Sequence, residues 1–198
     1  MRPGWRLALP LAVIALAGCA ALTRPAGEHF IDERTGLDGW RWEHQGLSVT
    51  LIQRLPDQTR AFFLARGFSR AAVDELAATC VFQTIIGNTG ESGRVELDLH
   101  DWRYTAKGES GPLRLKEDWL ARWTERGESM PARVAFRWSF FPTVQRFAPN
   151  DWNMGMTSVP VPPGTTLDLH FRWTRDGVQH RGVLRGVRCA PDESMEAT

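Results

Sequence analysis

Leu167-Asp168-Leu169-His170-Phe171-Arg172-Trp173-Thr174-Arg175-Asp176-Gly177-Val178-Gln179-His180 sets the fold class of this chain. Leu167, Leu169, Phe171 and Trp173 alternate with Asp168, His170 and Arg172, the period of a half-buried strand. Asp176-Gly177 then supplies the residues of a type I′ hairpin turn, which needs positive φ at both central positions. Counting back from that turn pairs Trp173 with His180, Phe171 with Gly182 and Leu169 with Leu184, and sets Asp168 toward Arg185. A glycine opposite a large ring leaves it room, and opposite charges across a ladder attract. The register is therefore self-consistent.

Moving outward, Leu47, Val49 and Leu51 alternate with polar residues, as do Val95, Leu97 and Leu99. Val134, Phe136, Trp138 and Phe140 make the strongest two-residue period in the chain and imply a further strand. Helical signals interrupt the strands. Pro56 to Arg66 ends at Gly67, and Ser69 is placed to cap a second helix carrying Val73, Leu76, Ala77 and Cys80 at i, i+3, i+4, i+7. A shorter helix, Glu117 to Thr124, sets Trp119, Leu120 and Trp123 on one side. Short alternating strands with turn signals and few helices imply a mainly β, antiparallel immunoglobulin-like β-sandwich with a small helical-hairpin insertion. It would span 36–189 as one domain, followed by a disordered acidic tail, 190–198.

The first residues have a different character. Arg2 and Arg6 precede an apolar run from Leu7 to Leu16, too short to span a bilayer, which takes ~20 residues. The run closes on Leu16-Ala17-Gly18-Cys19, which resembles the lipobox of bacterial lipoprotein signal peptides. The resemblance covers about the first 20 residues and implies cleavage after residue 18 and acylation of Cys19. Acyl chains contribute ~0.8 kcal/mol per buried CH₂, so a multiply acylated cysteine is a stable tether. By the same resemblance, Ala20 after the cysteine favours the outer membrane, with the domain facing the periplasm. Residues 19–35, with Pro25, Gly27 and Gly36 nearby and no hydrophobic period, are expected to be a tether.

An oxidising compartment changes the meaning of the other cysteines. With Cys19 taken by lipid, Cys80 and Cys189 remain as an even pair, expected as a structural disulfide. Closing so long a loop is worth up to ~4–5 kcal/mol in the chain-entropy model.

Composition narrows the partners. The chain of 198 residues carries a formal charge of +1, and taking away Arg2 and Arg6 with the leader leaves 22 basic residues against 23 acidic ones. A near-neutral chain without a Lys/Arg block excludes nucleic acid as a main partner. Nucleophile elbow, His-Glu-x-x-His and phosphate-binding glycine loop are all missing from the sequence. Glu96, Asp98 and Asp101 cluster near His100, but charges on an edge strand ordinarily serve to block aggregation. A non-enzymatic role is expected.

Candidate binding residues concentrate in Phe147–Thr157, where Pro149, Asn150, Asp151 and Gly155 imply an irregular loop bearing Trp152, Met154 and Met156. Trp152, with Trp40 and Trp42 on a strand face near the tether, is the expected partner-binding set. The remaining large aromatics, Trp138 among them, are expected in the core. Met154-x-Met156 has two readings: thioethers filling a core edge, or soft ligands for copper with His100 or His170 as a further ligand. The reading is a lipid-anchored periplasmic binding or assembly module with an envelope protein partner. The alternative is a periplasmic copper-binding protein or metallochaperone.

Overall fold

From its turn as far as Leu169↔Leu184 the hairpin forms in the register implied by its residues; beyond that a bulge, which the sequence did not announce, shifts the pairing to Leu167↔Val187. In the computed structural model, which describes residues 27–193, Thr166–Arg175 (β10) pairs with Val178–Arg188 (β11) through Trp173↔His180, Phe171↔Gly182 and Leu169↔Leu184. Asp176 and Gly177 take φ of 48° and 81°, the positive pair such a turn requires. Arg185 Nη1 lies 3.1 Å from Asp168 Oδ2.

Among the described residues the strands form two antiparallel sheets. The first runs β1 (Glu28–Ile31), β2 (Asp38–His44), β3 (Leu47–Gln53), β4 (Cys80–Asn88) and β9 (Trp152–Val159), in that order. The second runs β7 (Glu109–Pro112), β6 (Arg103–Ala106), β10, β5 (Val95–Asp98) and β8 (Val144–Phe147), with β11 beside β10. Their inner faces share one core, to which the first sheet gives Trp42, Val49 and Phe82 and the second Leu97, Phe171 and Trp173. The Trp42 ring meets Phe171 edge-on at 4.6 Å and Trp173 at 5.3 Å. Cys80 and Cys189 are bonded, Cα atoms 5.3 Å apart, tying β4 to the end of β11.

The other face of the first sheet is covered by helices. α1 (Pro56–Leu64) and α2 (Arg70–Ala77) connect β3 to β4; α3 (Lys116–Glu125) and α4 (Met130–Ser139) connect β7 to β8. Ser69 Oγ accepts from Ala72 N, the cap its position implies. Phe63, Leu76, Trp119, Trp123 and Phe136 from the helices close a second core on Val81 of β4 and Met156 of β9. The first sheet is thus buried on both faces over that part of its area.

Three expectations are corrected here. The run from Val134 to Phe140 is helix, not strand: Ser129 Oγ caps it by accepting from Ala132 N, and Pro131 sits in its first turn. Val134, Phe136, Trp138 and Phe140 fit a two-residue period, but Ala132, Phe136 and Phe140 also recur every four residues, and this second stripe is the buried one. Trp152–Val159 is strand, not irregular loop. The reverse turn is confined to the residues just before it, where Asp151 N donates to Ala148 O and Asn150 takes φ 61°. Cys80 opens β4 and does not continue α2.

The domain edges also shift. β1 lies inside the segment expected to be tether, so ordered structure begins before residue 36. At the other end Ala190 is buried, and Asp192 Oδ2 lies 2.6 Å from Arg60 Nη2. Arg60 also binds Asp57 and Asp74, and the Asp192 bond above all holds its guanidinium charged beyond the usual arginine range. The acidic tail is therefore pinned at least as far as Asp192. The leader, Cys19 and residues 194–198 lie outside the described residues.

Candidate interaction surface

β9 presents Trp152, Met154, Met156 and Ser158 on one face, because side chains alternate along a strand. The helical layer covers only the later half of that row. Met156 packs in the second core at 4% exposure, and Ser158 Oγ accepts from Trp119 Nε1 at 2.8 Å. Beyond the helices Trp152 and Met154 are open, 59% and 47% exposed. Gly87 is the cross-strand partner of Trp152, and a Cβ there would lie 2.9 Å from the Trp152 Cβ.

α4 delivers a second apolar row to the same layer. Met130, Val134 and Trp138, at i, i+4, i+8, all face solvent, with Trp138 83% exposed. The chain just past α4 packs against β9: Phe140 bridges Met156, and Phe141 N donates to Met156 O at 2.8 Å. Of the eight large hydrophobic side chains exposed among the described residues, five belong to α4 and β9. That concentration on two abutting elements distinguishes them from scattered surface residues. Neither Trp138 nor Trp152 has a ring contact among the described residues, while exposed Arg137 stands beside Trp138 in sequence.

The structure separates the residues singled out in the sequence. Trp152 is exposed as expected, whereas Trp40 and Trp42 are 5% and 3% exposed and belong to the core between the sheets. They do share one strand face, but it is the inner one: β11 and the hairpin rings cover it. Trp138, expected in the core, is on the surface. Its signal was present in the sequence, since helical spacing of Ala132, Phe136 and Phe140 forces Met130, Val134 and Trp138 onto the opposite stripe.

The copper ligands are not brought together. Met156 is core filling, and Met154 points out on the helix side of the first sheet. His170 is on the outer face of the second sheet, its Nε2 3.0 Å from Thr105 Oγ1. The two sheets of a sandwich stand ~10 Å apart, so the methionines and His170 are on opposite outer sides. His100 sits in a 3₁₀ turn, Leu99–Asp101, rather than on a strand face, and its Nδ1 is 2.7 Å from Asp98 Oδ1. Among the described residues no three His, Cys, Asp or Glu side chains converge as a metal site, and no helix is long and apolar enough to cross a membrane.

No family model, curated protein or solved structure matches the chain.

Proposed function

We propose that this chain is a lipid-anchored binding or assembly module of the bacterial envelope. It is held by Cys19 on the periplasmic face of the outer membrane and takes a protein partner on the α4/β9 face. The observation that carries the reading is the joint exposure of Trp138, Trp152 and Met154, with Met130 and Val134 extending the row. Aromatic side chains of this size, unpartnered within the fold, are the usual anchors of a protein interface. A rigid two-sheet body with a disulfide suits an oxidising compartment, as the lipobox implies. The likeness to immunoglobulin-type sandwiches rests on two facing antiparallel sheets tied by that bridge.

Site-specific photo-cross-linking in cells tests the surface. A cross-linking residue at 152 or 138 should give one discrete protein adduct, which weakens when the other tryptophan is changed to Ala. The same residue at Arg181, exposed on the second sheet, should not give it. Equal adducts from all three positions, or none, would remove the reading. Mass spectrometry of the mature N-terminus tests the anchor separately: acylated Cys19 supports it, and an unmodified or uncleaved leader sinks it.

A further inference from the structure

At the end of the sandwich where β2 approaches β11, the described residues line an open cleft of about 450 Å³. That is within the ~300–1,000 Å³ of small-molecule sites. One wall is β11, which carries Arg185 and Arg188; the other is His29 of β1 with Asp38 and Trp40 of β2.

The β11 wall is shaped by a bulge. Pairing along β10 steps from Leu167↔Val187 to Leu169↔Leu184, so Arg185 and Gly186 together oppose Asp168, one residue extra on β11, and Gly186 takes φ 66°. Asp168 secures the bulge: Oδ1 accepts from Gly186 N at 2.9 Å and Oδ2 lies 3.1 Å from Arg185 Nη1. Arg188 is presented from a fixed main chain. Its carbonyl accepts from Gln53 Nε2 at 2.9 Å, and the next residue, Cys189, is in the disulfide and donates its N–H to Thr165 O at 2.8 Å.

Two ion pairs already occupy the walls, and one cation is left over. The Asp38 carboxylate on the far wall is engaged by His29 Nε2 at 2.8 Å. Arg188 has no ion pair among the described residues. The His29 ring stands 5.4 Å from Trp40, which makes an apolar floor. Arg185 is held by Asp168 and His29 by Asp38, so the Arg188 guanidinium is the cation on the cleft left without a carboxylate among the described residues. Guanidinium forks bind oxyanions through paired hydrogen bonds, and a phosphate offers enough acceptor oxygens to meet both walls.

We propose that this cleft is an anion site for a phosphate-bearing ligand, with Arg188 as its principal cation and Arg185 and His29 completing it. Free phosphate compounds and phospholipid headgroups share this chemistry. Gly27 lies on the cleft rim, eight residues after Cys19, and an extended chain spans at most ~3.6 Å per residue. The headgroup source rests on the lipid-anchor reading for its proximity; the site itself does not.

The test is calorimetric titration of the oxidised full chain carrying Cys19→Ser with inorganic phosphate, beside the same chain with Arg188→Gln or, as control, Arg181→Gln. Both arginines are exposed, so neither variant threatens the fold. Saturable binding weakened at least about tenfold by Arg188→Gln and unaltered by Arg181→Gln supports the site. No binding, or equal binding by all three chains, overturns it. Flotation with vesicles of phosphatidylcholine alone or mixed with phosphatidic acid then separates the sources. Recruitment by phosphatidic acid that Arg188→Gln abolishes assigns the headgroup, and phosphate binding without recruitment assigns the free compound. Because Cys19→Ser removes the anchor, failure of the anion site and failure of the anchor reading are seen independently.

Discussion

Trp119 donates its indole N–H to Ser158 Oγ at 2.8 Å, and this buried bond joins the helical layer to the first sheet. Ser158 Oγ in turn donates to Arg114 O at 2.9 Å, while the Arg114 guanidinium lies 3.8 Å over the Trp119 ring. Trp119 and Ser158 are 0% and 1% exposed, so neither can exchange its partner for water.

Ser158→Ala should therefore leave an indole N–H unsatisfied in the second core and destabilise the fold by about 1–3 kcal/mol. Chemical denaturation measures it. A change below about 0.5 kcal/mol, the scale of ordinary surface substitutions, would mean that apolar packing alone holds the helices on the sheet.

Gly155→Ala addresses the junction of α4 with β9. A Cβ at Gly155 would lie 2.6 Å from Phe141 N and 2.7 Å from its Cα, main-chain atoms that cannot rotate away. A loss of about 2 kcal/mol or more is expected, the scale of overpacking. Gly108→Ala is the comparison: it has open space around it but φ 83°, so only the left-handed strain of about 1–2 kcal/mol applies. Equal midpoints for the two variants would contradict the close approach.

Trp138→Ala and Trp152→Ala should change stability by no more than about 0.5 kcal/mol, since both rings face solvent. Trp123→Ala, 1% exposed and stacked on Trp119 at 4.9 Å, should cost about 3–5 kcal/mol. Thermal melts of the three variants separate a binding surface from a core. Loss of the partner adduct with an unaltered melt is the expected signature at positions 138 and 152.

The Cys80–Cys189 bond closes a separation of 109 residues. Replacing both cysteines by Ser should remove up to about 4–5 kcal/mol, less whatever structure the reduced unfolded chain keeps. An unchanged denaturation midpoint would show that the bridge adds nothing to the packed ends of β4 and β11.

Acid should loosen the turn after β1. Asp32 Oδ1 accepts from Thr35 Oγ1 at 2.8 Å and from Thr35 N at 3.0 Å, and the Thr35 hydroxyl above all holds the carboxyl below its ordinary value of 3.8. A depressed folded-state pKa means that the contribution is present above the ordinary value and lost as pH falls through the lower folded one. Thr35 amide protection should thus persist to below pH 3.8 and disappear on further acidification; Asp32→Ala, which has no acceptor, should lose it at every pH. Protection indifferent to that substitution would assign it to the backbone bonds of the turn alone.

The sequence by itself determined the elements whose signals were local and unambiguous. The hairpin was legible in register from its turn to Leu169 and Leu184, because Asp176-Gly177 suits one turn geometry and Gly182 had Phe171 opposite it, while the bulge beyond was not. Ser69 and the stripe of Val73, Leu76 and Ala77 located α2, and the isolated pair Cys80 and Cys189 located the bridge. Only the tertiary structure decided which period the residues 134–140 obey, since their spacing satisfies strand and helix alike. The choice fell to Ser129, Pro131 and the second core that accepts Ala132, Phe136 and Phe140. The same choice turned Trp138 outward. Trp40 and Trp42 went the other way, because exposure depends on which sheet comes to lie over a strand face, a long-range pairing that no local window contains. The anion cleft is of the same kind: its two walls, His29 and Arg188, are brought together by sheet packing across nearly the whole length of the domain.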